Sequence, residues 1–116
     1  MADNVTWHFV CDAGELDVED VICFEHDSKK YAVYRTPSGY YATDGKCSHA
    51  GAILADGLVT GEFIECPSHQ GQFHIPTGKA KRPPAKVDLK TYPVKLEDGK
   101  LFIALPALES RSRGPG

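Results

Sequence analysis

From Val21 the pattern of hydrophobic positions turns to period two and to aromatic or β-branched residues, in the runs VICFEH, KKYAVYR and YYAT. His26-Asp27-Ser28 and Thr36-Pro37-Ser38-Gly39 separate these runs and have turn composition, so a meander of short antiparallel strands is predicted. An earlier run, Val5 to Val10, reads as another strand. Further on, Ile53 to Val59, Glu62 to Glu65 and Gln72 to Ile75 read as short strands, followed by a turn at Pro76-Thr77-Gly78-Lys79. Tyr92 to Leu96 and Leu101 to Leu105 form a final pair joined by Glu97-Asp98-Gly99-Lys100, a good hairpin turn. No helix of more than a turn or two is evident. Asp12-Ala13-Gly14-Glu15-Leu16 offers one turn, and Gly14 weakens it.

With 116 residues, 41% of them hydrophobic and 25% charged, the chain suits one globular domain and is too short for a second catalytic module. Its apolar stretches are only a few residues long, and MADNVTWHF has neither a basic n-region nor an apolar h-region. Neither a membrane span nor a signal peptide is therefore expected, and the cytoplasm is the predicted compartment. There, four cysteines serve as thiolates and free thiols rather than disulfides, with Cys11 and Cys23 expected as buried small apolar side chains. The formal net charge of -3 is unevenly spread. Asp12, Glu15, Asp17, Glu19, Asp20, Glu25 and Asp27 follow one another with no Lys or Arg between them, whereas Lys79, Lys81, Arg82, Lys86 and Lys90 form a basic segment. The acidic run reads as a solvated face, with a docking patch for a basic partner as the alternative.

The stretch that carries chemistry is Cys47 to His69, CSHAGAILADGLVTGEFIECPSH. It holds two short ligand pairs, Cys47-x-His49 and Cys66-x-x-His69, separated by sixteen residues. In each pair a thiolate precedes an imidazole by two or three positions, so a tight loop aims both at one inorganic centre. Two near-equivalent loops, each giving one sulfur and one nitrogen, suit a two-iron centre in which one iron takes both Cys and the other both His. A tetrahedral structural zinc site uses the same residue types. Zinc fingers, however, pair Cys with Cys and His with His, usually with the His pair on a helix. Here the types are mixed, and Gly51, Gly57, Gly61, Pro67, Gly71, Pro76 and Gly78 interrupt every helical possibility. No Gly-rich phosphate loop and no nucleophile triad is present, so a carrier is expected rather than a catalyst, with no catalytic residues.

The pattern C-x-H followed by C-x-x-H, with Gly51 after the first pair and Pro67 and Gly71 around the second, resembles Rieske proteins. The resemblance runs from about Trp7 to Leu105 and is closest to the small ferredoxins of bacterial ring-hydroxylating oxygenases. It implies an all-β Rieske fold: a base of antiparallel sheets carrying a smaller inserted cluster-binding subdomain at about residues 46–76. The single domain would span residues 1–105, and residues 106–116 would form a disordered tail. It also implies one [2Fe-2S] cluster on Cys47, His49, Cys66 and His69, with Lys81-Arg82-Pro83-Pro84-Ala85 closing over it. The expected partners are an NAD(P)H-dependent flavin reductase and a terminal oxygenase acting on an aromatic compound. The chain should be a monomer, with no nucleic-acid or membrane partner. A complete oxygenase is excluded by length, and His8, His26 and His74 lack the paired spacing that a mononuclear iron requires. The alternatives are a small subunit of an assimilatory nitrite reductase and a zinc-stabilised interaction module.

High-potential Rieske proteins tie their two loops with a disulfide and place Ser and Tyr hydroxyls against the cluster. In this chain the corresponding positions are Ala52 and Ser68 for the disulfide, and Gly71 and Phe73 for the hydroxyls. The resemblance therefore implies a low potential, about -150 mV.

Overall fold

The computed structural model describes residues 5–46, 53–67, 71–82 and 88–106. Its centre is strand β3, Lys29–Thr36, in which Tyr31, Ala32, Val33 and Tyr34 are all buried. Successive side chains on a strand point to opposite faces, so four buried residues in a row require a core on each side. Tyr31 and Val33 pack with Leu16, Ala42, Tyr92, Leu101 and Ile103 in one core. Ala32 and Tyr34 pack with Leu54, Ile64, Cys66, Phe73 and Ile75 in the other.

Three antiparallel sheets supply the walls. The first is ordered β1 (Val5–Asp12), β11 (Lys100–Pro106), β10 (Val94–Glu97). The second is β2 (Asp20–His26), β3, β4 (Gly39–Asp44), β9 (Thr91–Tyr92), and the third is β5 (Leu58–Thr60), β6 (Phe63–Glu65), β7 (Gln72–His74), β8 (Ala80–Arg82). The third sheet is thus inserted between two paired strands of the second, β4 and β9. Short 3-10 turns at Ala13–Glu15 and Leu54–Asp56 are the only helical elements among the described residues, and no helix is long and apolar enough to cross a membrane. The all-β expectation holds, including the single turn after Asp12.

The acidic run does not make one face. Glu19 accepts the Gly61 N–H at 2.7 Å, Glu25 pairs with Lys30 at 3.6 Å, and Asp12 faces Lys100 at 4.0 Å.

Four expectations need correction. Ile53 to Val59 is not a continuous strand: Leu54 is fully buried and begins the 3-10 turn, which closes with the Gly57 N–H on the Leu54 carbonyl at 2.8 Å, and β5 starts only at Leu58. Tyr92 to Leu96 is split between two sheets at Pro93, which has no N–H for a ladder; its carbonyl still accepts from Ala104 at 3.0 Å. Strand β8 was not anticipated. It is an edge strand of Ala80, Lys81 and Arg82, and basic residues are tolerated there although they hide the strand signal. Cys11 is buried as expected, but Cys23 is exposed on the edge strand β2.

Two hairpins turn through two residues with positive φ. At β10–β11 these are Asp98 (54°) and Gly99 (73°), the expected pairing for this turn. At β2–β3 they are Asp27 (54°) and Ser28 (66°), so a serine occupies a left-handed position that costs about 1 kcal/mol without glycine. Ser28→Gly is expected to raise stability by about 1 kcal/mol and the thermal midpoint by roughly 4 °C. Chemical and thermal unfolding check this, and a loss of stability would contradict the turn assignment.

Candidate metal centre

Each predicted ligand pair falls within or beside a span whose flanks are closed by backbone bonds. After β4, the Gly45 N–H donates to the Lys30 carbonyl at 2.9 Å, Lys46 bridges Ile53 in antiparallel fashion, and the Leu54 N–H donates to the Gly45 carbonyl at 2.8 Å. Cys47 and His49 belong to the span between these closures and lie outside the described residues, as do Gly51 and Ala52. The second loop joins β6 to β7. Glu65 pairs with Gln72, and inside that pair the Cys66 N–H donates to the Gly71 carbonyl at 2.8 Å. His69 and Ser68 lie outside the described residues, as do Pro83 to Ala85 of the expected covering stretch.

Cys66 is the ligand candidate whose surroundings are described. It is 1% exposed and belongs to the same buried cluster as Leu54, Ile64, Phe73 and Ile75. A buried thiolate requires positive charge beside it, and a metal ion supplies that charge while keeping the sulfur deprotonated. A buried sulfur donor of this type is one that an iron–sulfur centre would take.

The two loops are brought together at Gly57, a role the sequence reading did not assign. A Cβ there would collide with the Glu65 carbonyl and would come within 3.2 Å of the Pro67 ring. The chain leaving the first loop thus lies directly against the chain entering the second, with no room for a side chain between them. The signal available in the sequence was Asp56-Gly57, a turn dipeptide between two apolar stretches. An open hollow of about 320 Å³ adjoins this contact, lined by Asp56, Gly57, Leu58, Glu65, Cys66 and Pro67. The two carboxylates make its wall acidic.

Polar clamps hold the third sheet to the second. The Glu19 carboxylate accepts the Gly61 N–H at 2.7 Å, and the Ser38 hydroxyl donates to Glu62 at 3.0 Å. Hydrogen bonds from Thr36 first, and also from Ser38, hold the Glu62 carboxyl below the usual carboxylate range against a smaller upward push from burial. His74 lies on β7 with Nδ1 2.8 Å from the Thr77 hydroxyl and its ring 5.3 Å from that of Phe63.

Comparison with known proteins agrees with this arrangement. Residues 6–93 match the Rieske [2Fe-2S] domain. The chain belongs to that family. The ferredoxin component of a naphthalene 1,2-dioxygenase system from Pseudomonas putida is 43% identical over 102 residues, covering 88% of this chain and 98% of that protein. Among solved structures, the Sphingomonas yanoikuyae B1 ferredoxin superposes with a TM-score of 0.81 at 35% identity, covering 87% of this chain and all of that one. A chain from the complex of reduced oxygenase and oxidized ferredoxin in carbazole 1,9a-dioxygenase also gives 0.81, at 32% identity and over 84% of this chain and 92% of that one.

Gly57→Ala should separate the two loops. The overpacking is expected to cost about 3 kcal/mol and to lower the iron content per chain. Unfolding and iron assays on the purified variant check this, and wild-type stability with full iron would contradict the loop contact.

Proposed function

We propose that this chain is the ferredoxin of a bacterial aromatic-ring oxygenase system, carrying single electrons between an NAD(P)H-dependent flavin reductase and a terminal oxygenase. The observation that carries the reading is a buried Cys66 at the mouth of one of two backbone-closed loops, in a chain that spans nearly the whole length of relatives named as ferredoxin components. Cys47 and Cys66 are the proposed ligands of the inward iron, and His49 and His69 those of the outward one. One [2Fe-2S] cluster per chain supplies reversible one-electron chemistry when bound.

The chain's own residues do the rest. The cores on either side of β3 fix both loop bases, and Gly57 sets the distance between the loops. Phe73, fully buried in the cluster of side chains that contains Cys66, excludes water from the sulfur side and brings no hydroxyl donor to it. Gly71 likewise offers only its backbone, whose carbonyl is taken by the Cys66 N–H. Absence of hydroxyl donors at these two positions disfavours the more negatively charged reduced state and places the potential low in the Rieske range, suited to a flavin donor.

A monomer acting in the cytoplasm, with residues 1–105 as one unit, completes the proposal. The nitrite reductase alternative has less support, because the relatives at about 40% identity are named as dioxygenase ferredoxins. A pull-down from the native host separates the two, and a colourless protein would point to zinc instead.

Substitution of the ligands tests the site. Cys66→Ser and His69→Ala are expected to abolish iron and sulfide binding and much of the folded far-UV signal, since a centre assembled with the chain contributes its binding energy to folding. His74→Ala should leave iron content unchanged, its ring being engaged with Thr77 and Phe63. Bleaching of that variant would overturn the ligand assignment.

A further inference from the structure

His8 on β1 and His26 at the end of β2 meet with ring centroids 4.1 Å apart and planes tilted by 42°. These strands belong to different sheets and share no ladder, so the ring contact is a side-chain bridge across a sheet boundary. Phe24 lies parallel to His26 at 6.4 Å and backs the pair from the core beneath. His8 stands opposite Ile103 on β11, and Val94 of β10 is the next residue in that row, so both neighbours from the first sheet are uncharged.

Two charged groups face the pair. Asp27 places Oδ2 3.6 Å from His26 Nε2. Lys29, the cross-strand partner of His26, has its ammonium 3.4 Å from Asp44 and 3.4 Å from the Tyr92 hydroxyl. Asp27 can therefore balance one proton on the pair, and nothing among these neighbours balances a second.

We infer that His8 and His26 form a proton-operated joint, which holds the N-terminal strand to the second sheet while at most one ring is charged and releases it when both are. One charged ring faces the Asp27 carboxylate, whereas two positive rings at this separation repel. Burial first, and the charge of His26 second, push the His8 imidazole below its ordinary value of 6.5, with Asp27 opposing. A histidine depressed in the folded state contributes stability that is fully present above 6.5 and is lost as the pH falls through the lowered value. The joint uses none of the proposed metal ligands and stands independently of the electron-transfer reading.

Hydrogen exchange of the cluster-loaded protein, read by mass spectrometry at about pH 7.5 and about pH 5.5 and corrected for the intrinsic rate, tests the joint across the range in which histidine titrates. Protection of Val5–Asp12 is expected to fall at the lower pH, by up to about tenfold for each unit by which His8 is depressed, while Gly39–Asp44 in the second sheet stays protected. His8→Phe keeps a ring at the contact and cannot take the proton, so its β1 protection should no longer depend on pH. His26→Phe gives the same reading should that variant fail to fold. Equal β1 protection at both pH values in the wild type, or an undiminished loss in the phenylalanine variant, would overturn the proposal.

Discussion

Strand β3 has no solvent side, and the rest of the molecule is arranged around that constraint. Tyr31 and Val33 hold the first sheet, and Ala32 and Tyr34 hold the sheet that carries the second ligand loop. The first ligand loop is anchored to the same strand, through the bond from Gly45 to Lys30. Covering both faces leaves the Tyr34 hydroxyl in a dry layer, where it needs a partner. It donates to the Thr43 hydroxyl at 2.8 Å, which in turn donates to the Asp44 carbonyl at 2.8 Å. Burial pushes the phenol far up, so it remains a donor at any physiological pH. A charged or much smaller residue anywhere from Tyr31 to Tyr34 would therefore loosen a sheet on one side or the other.

An electron carrier has to keep its ligands in place while the charge at the centre changes, and the observed supports suit that demand. Loop bases closed by main-chain bonds do not depend on flexible side chains. The Glu19 and Ser38 clamps restrain the third sheet at its β5–β6 turn, the end away from the ligand loop. Asp56 and Glu65 line the hollow beside Cys66 and give it a negative character, while Lys79 and Lys81 of the basic segment lie further along the chain. Such separation of charge orients a partner during encounter more than it strengthens the complex.

Most of the strand framework was legible because runs of β-branched and aromatic residues alternate with turn residues, as at His26-Asp27-Ser28 and Glu97-Asp98-Gly99-Lys100. Where burial is two-sided or brief, alternation fails. Ile53 to Val59 is apolar because Leu54 and Val59 are both buried, yet the backbone turns through the 3-10 segment Leu54–Asp56 before Gly57. Tyr92 to Leu96 alternates well but serves two sheets, and only Pro93 betrayed the change. Cys23 looked like a core residue by type, whereas its place on an edge strand exposes it. At the site, the residue types and spacing pointed to the Rieske family, to which the chain belongs, while Cys47, His49 and His69 lie outside the described residues. The close approach at Gly57 was not readable, since a glycine required by contact looks the same in sequence as one required by a turn.

The central proposal is that the chain holds a single one-electron centre with no side-chain hydroxyl at the Gly71 and Phe73 positions. A redox titration of the purified protein, followed through its visible absorbance, tests this most directly. The account predicts one one-electron wave per chain near about -150 mV. A midpoint above about +100 mV, in the upper part of the Rieske range, or a colourless protein with no wave, would contradict it.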